Sequence, residues 1–127
     1  MELTAFAGLG LYFLIGVLGN GVSSFLYYYL EIHLWRRFHG LLEIMPWCHI
    51  LLTNIGITSV SILMIYAGYI DDIAIFSKNI RGFGMTSEQV SQNILNHFII
   101  PVAALLLVTT AGAICEGIGF IAAFIKQ

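Results

Sequence analysis

Two glutamates in long apolar surroundings, Glu43 and Glu116, are the residues of this sequence best placed to do chemistry. An acidic side chain at the centre of a membrane span costs at least about 2.5 kcal/mol and by default marks an ion path or a buried pair. The chemistry would be proton exchange. Burial disfavours a charged carboxylate, so such a group can take up and release a proton, and a second carboxylate within a few waters lets the proton hop onward.

Glu116 precedes Lys126 by ten residues, which is roughly 15 Å along a helix and near a bilayer midplane. Its helical neighbours are Gly112, Gly119 and Ala123, a small-residue face that admits another helix and turns the carboxylate toward protein. A bond that only glues two helices together is the plain alternative. Glu43 has two readings. It is buried if the second span starts near Phe38, and interfacial if Pro46 occupies the first helical turn. Asn54, Thr58 and Ser61 continue its face at i, i+4 and i+7, a polar stripe that can hold ordered water or bond neighbouring helices.

The four histidines raise a haem anchor, which needs two imidazoles facing one another across a bundle. His49 and His97 fall toward opposite membrane faces, and His33 and His39 belong to the first connection, so the geometry opposes a pair within this chain. Cys48 and Cys115 lie in apolar spans and read as inert packing. No zinc spacing, phosphate loop or nucleophile–base set is present. The chain is thus expected to hold no metal or cofactor and no bond-making centre of its own.

The elements that must position these groups follow from where charge is missing. Charged residues make up 9% of the chain and the mean hydropathy is +0.92, against roughly 25% charged in a soluble domain. Too few charges exist to solvate a free-standing globule of this size. The net charge of -2 also excludes a basic nucleic-acid face. Glu2 to Glu31, Glu43 to Asp71 and Glu88 to Lys126 bound three long gaps, the last interrupted only by Glu116. Each exceeds the ~20 residues that cross a bilayer. The chain therefore reads as one all-α domain, 1–127, an integral membrane protein with three transmembrane helices at about 4–30, 42–70 and 98–125.

The N-terminus has no basic region before its apolar segment, so the first span is expected to stay in the mature protein. Arg36, Arg37 and Lys126 outnumber Lys78 and Arg81, which favours an outward N-terminus. Tyr27, Tyr28, Tyr29 and Trp35 fit a headgroup boundary at the first connection. The second connection, 71–97, is read as an extended outer segment with a glycine turn over Ile80–Gly84. Thr86 with Gln89 fits a capping box that opens a short surface helix before the third span. Its stripe of Val90, Ile94 and Phe98 is expected on the membrane surface or on a partner.

The order of features resembles NADH-ubiquinone oxidoreductase chain 4L, the small three-helix membrane subunit of respiratory complex I. The resemblance rests on Phe13-Leu14-Ile15-Gly16-Val17-Leu18-Gly19, then Arg36-Arg37, then Leu42-Glu43-Ile44-Met45. In the third helix, Ala113-Ile114-Cys115-Glu116-Gly117-Ile118-Gly119-Phe120-Ile121-Ala122 is similar to the family's glutamate-centred small-residue pattern. Arg37 stands closer to Glu43 than the family's basic residue does, and the second connection is longer. The related antiporter subunit of sodium/proton exchangers shares the architecture but usually lacks the third-helix carboxylate.

The resemblance implies that Glu116 and Glu43 relay protons when quinone is reduced. It implies contacts with the chain 2 and chain 6 equivalents of the complex, with flavin mononucleotide, iron–sulfur clusters and ubiquinone held by other subunits. It points to the mitochondrial inner membrane, with a bacterial plasma membrane as the alternative. A structural or assembly subunit without a relay, and a haem- or quinone-anchoring subunit of the succinate dehydrogenase type, are the other classes.

Overall fold

The computed structural model describes residues 2–35, 40–81 and 85–125. Three helices carry nearly all of them, and no strand occurs among the described residues. All three are long and apolar enough to cross a membrane: Leu3–His33 (31 residues), Ile44–Phe76 (33 residues) and Glu88–Ile125 (38 residues). They are called the first, second and third helix below. Large apolar side chains such as Phe13, Ile62 and Leu107 stand exposed on all three, as lipid-facing surfaces require.

Two boundaries differ from the sequence expectation. The second helix runs on to Arg81, through Asp71 and Asp72, because no glycine or proline occurs between Asp71 and Arg81. Of the glycine turn expected over Ile80–Gly84, Ile80 and Arg81 are helical instead and 82–84 lie outside the described residues, as do Arg36, Arg37, His39 and Lys126. The expected surface helix is not separate. It forms the opening turns of the third helix, which passes Pro101 without breaking. The capping box is present: Thr86 N–H donates to Gln89 Oε1 at 3.0 Å, and Gln89 N–H to Thr86 Oγ1 at 3.3 Å. Val90 is fully buried against the chain's own second helix, and Phe98 meets Tyr66 edge-on at 6.2 Å between ring centroids. The stripe thus packs inside the chain, because the second helix extends far enough to cover it.

Packing is antiparallel and centred on the second helix. Against the third helix the seam is close along its length, because small residues face small residues. A Cβ on Gly56 would collide with Thr109 Oγ1 and lie 3.0 Å from Thr109 N; one on Gly112 would lie 3.0 Å from Thr53 N. Against the first helix the approach is close only over the N-terminal part, where Ser61 Oγ donates to the Gly8 carbonyl at 2.9 Å and to its own Ile57 carbonyl at 2.8 Å.

From Tyr12 to Gly19 the first helix widens into π-type turns, an arrangement uncommon outside functional sites. The Asn20 backbone N–H bonds Val17 O, and the Gly16 carbonyl that it leaves is taken by Asn20 Nδ2 at 2.6 Å. Beyond this stretch the first helix diverges from the second, and it makes almost no direct contact with the third. It ends near Trp35, a left-handed residue (φ 53°) whose exposed ring suits the headgroup level.

Candidate functional site

The divergence of the first helix opens the molecule around one buried polar pair. His49 stands about one and a half turns inside the second helix, and Glu116 reaches it from the third. His49 Nδ1 lies 3.5 Å from Glu116 Oε2, with the two side chains 4% and 19% exposed. The same nitrogen lies 3.2 Å from the Gly112 carbonyl and 3.3 Å from Thr53 Oγ1. A carbonyl can only accept, so Nδ1 is the nitrogen that presents a proton to it, and in that neutral tautomer Nε2 is left as an acceptor. Nε2 is buried and has no hydrogen-bond partner among the described residues. Tyr27 of the first helix sets its ring edge-on to the imidazole, with centroids 6.4 Å apart.

Two clefts meet at this pair. One, of about 730 Å³, lies between the first and third helices; its walls are apolar (Leu14, Leu18, Phe120), with His49, Thr53 and Glu116 in its floor. The other, of about 180 Å³, lies between the first and second helices and is lined mostly by polar residues, among them Asn20, Ser23, Tyr27, His49 and Asn54. Buried Ser23 and His49 line both. Asn20 Nδ2 donates to Asn54 Oδ1 at 3.1 Å, which ties the first two helices together where their backbones part.

The sequence-derived residues are not all brought together. Gly112, Gly119 and Ala123 are buried in the third helix. Glu43 is exposed, in a 3₁₀ turn (Gly40–Glu43) just before the second helix, because the helix begins at Ile44 and places Pro46 in its first turn. Of the polar stripe, Asn54 and Ser61 bond the first helix, while Thr58 is exposed.

The register also moves Glu116 away from the middle of the span. Paired with His49, it stands about 9 Å along the axis from Glu43, nearer the first connection than the centre of the second helix. His97 is far from this site: the Tyr66–Phe98 contact puts it about 25 Å from His49 along the second helix. Cys48 and Cys115 are free thiols, and no group of three metal-ligating side chains occurs among the described residues.

His49 as the partner of Glu116 is the residue that sequence reasoning missed. A usable signal existed. Thr53 with Gly56 and Thr109 with Gly112 are small-residue pairs of equal spacing, and matching them antiparallel brings His49 level with Glu116.

Fold and site together define an all-α, three-helix membrane protein with a buried acid–imidazole pair beside a polar cleft. Compared with known families, curated proteins and solved structures, the chain matches none.

Proposed function

We propose that this chain is a membrane-arm subunit of a respiratory complex I, of the chain 4L type, and that Glu116 exchanges protons along the arm when quinone is reduced. The observation that carries this reading is the Glu116–His49 contact at 3.5 Å inside an interhelical seam. A carboxylate used only as glue needs one saturating donor. This one faces a second ionisable group and a cleft, which is the setting of a proton-exchanging site.

The subunit would contact the chain 2 and chain 6 equivalents through its lipid-height faces and hold no cofactor. The flavin, iron–sulfur clusters and quinone would belong to other subunits. The membrane would be the mitochondrial inner membrane, or the plasma membrane if the chain is bacterial. Glu43, exposed before the second helix, would serve at the boundary, passing protons between Glu116 and the headgroup region.

The test uses native membranes. The chain should co-migrate with NADH:ubiquinone oxidoreductase activity on native gels. Glu116→Gln should leave assembly intact while lowering quinone-linked activity and proton pumping by about 100-fold or more. Full pumping in Glu116→Gln overturns the relay, and migration with another complex overturns the subunit assignment.

A further inference from the structure

Among the described residues, His49 Nε2 and Asn20 Oδ1 are buried without a hydrogen-bond partner, and both residues line the small cleft between the first and second helices. They belong to different helices and arise for different reasons. Asn20 spends its amide N–H groups on Gly16 and Asn54, which leaves its oxygen over. His49 spends Nδ1 on the third helix, which leaves Nε2 over. Buried polar groups are almost always satisfied, and where protein does not do it ordered water does. Irregular polar surface at membrane height is likewise tolerated where it lines a water-filled cavity. A cleft of about 180 Å³ exceeds the share of liquid volume of one water, about 30 Å³, several times over.

We propose that this cleft holds a short file of ordered water running from Asn20 and Asn54 to His49, and that His49 is the residue through which Glu116 exchanges its proton. The inference rests on the proton-relay reading of Glu116 and adds its partner and its route. Asn54 lies about 7.5 Å deeper along the second helix than His49, so the file extends from the pair toward the centre of the membrane. The Ser23 hydroxyl, bonded to the Gly19 carbonyl at 3.0 Å, lines the wall between.

The transfer balances in two steps. A hydronium arriving along the file breaks one O–H bond, leaves as water, and gives its proton to the Nε2 lone pair to make an imidazolium. The Nδ1–H bond then breaks and an O–H bond forms on the Glu116 carboxylate 3.5 Å away. No electrons move, and reversal of both steps unloads the carboxyl. The Gly112 carbonyl and Thr53 hold the ring in the orientation that keeps Nδ1 toward Glu116 and Nε2 toward the cleft.

Two measurements test it. In the full chain reconstituted in lipid, histidine-labelled solid-state NMR should show His49 as the Nδ1–H tautomer, with polarisation transferred from bulk water to its ring. Asn20→Leu should abolish that transfer. A ring that receives no polarisation from water overturns the water file.

In native membranes, His49→Gln is compared with Glu116→Gln, and native gels establish that both complexes assemble. Proton pumping lowered about 100-fold or more by both substitutions supports the inference. Pumping lowered only by Glu116→Gln overturns His49 as the exchange residue and leaves the relay reading standing. Pumping lowered by neither overturns the relay reading and this inference with it.

Discussion

Ser61 illustrates how single side chains solve the problem of polarity in lipid. Its hydroxyl bonds the Gly8 carbonyl of the first helix and the Ile57 carbonyl of its own, so a polar atom in hydrocarbon becomes a clasp between helices. Ser61→Ala should lower stability by about 0.6 kcal/mol, the average for such a bond within a membrane, read from unfolding of the detergent-solubilised chain. A loss of several kcal/mol would mean that the hydroxyl does more than clasp.

Glu116 was legible in the sequence because a charge inside a long apolar run is conspicuous whatever the fold. Glu43 was ambiguous because its depth depends on where the helix begins, and a start near Phe38 or one at Ile44 decides whether it stands inside the span or before it. His49 was read only as a haem candidate. A histidine on an apolar helix gives no sign of what it faces until the register of the neighbouring helix is known.

At the scale of elements, the two seams of the second helix differ in kind. The seam with the third helix is built on Thr53, Gly56, Thr109 and Gly112, where backbone meets backbone and an added methyl group meets main-chain atoms that cannot give way. Gly112→Val should cost about 1–3 kcal/mol by overpacking. It should also separate His49 from Glu116, so the thermal midpoint in detergent should fall and, on the proposed relay, proton pumping with it. Gly21→Ala, at a position with nothing within 4 Å, is the control and should leave both in place.

The seam with the first helix is close only near Gly8 and opens beyond the widened turns of Tyr12–Gly19. The helices themselves were legible from the spacing of charges, and the Thr86–Gln89 cap from its motif. Their true lengths were not. The second helix continues past Asp71 and Asp72, since two aspartates on an otherwise uninterrupted helix do not end it. The stripe at Val90 could not be assigned to its own chain without knowing that extension. The π-type turns had no sequence signal beyond Gly16 and Gly19.

For the molecule as a whole, protection should follow the asymmetry of packing. The second helix is covered on two sides and holds Ile57 and Val60 fully buried, whereas Asn20–Tyr28 is flanked by clefts. Amide hydrogen exchange in nanodiscs should therefore be slowest around Ile57–Ser61 and faster over Asn20–Tyr28, because local opening is easiest where few packed contacts resist it. Equal protection over both segments would show that the cleft is filled and the first helix held as firmly as the rest. The low charge content, which marked the chain as a membrane protein, says nothing of this asymmetry, since all three helices are comparably apolar.

The arrangement around a central second helix also bears on how the chain assembles during its synthesis. Neither outer helix needs the other in order to dock. The first hairpin can close as soon as the second helix has been made, and the second hairpin can close onto it later, each through contacts between consecutive segments. Such local closure is fast and leaves few competing pairings. The packing therefore allows each helix to find its place in the order in which the helices leave the ribosome.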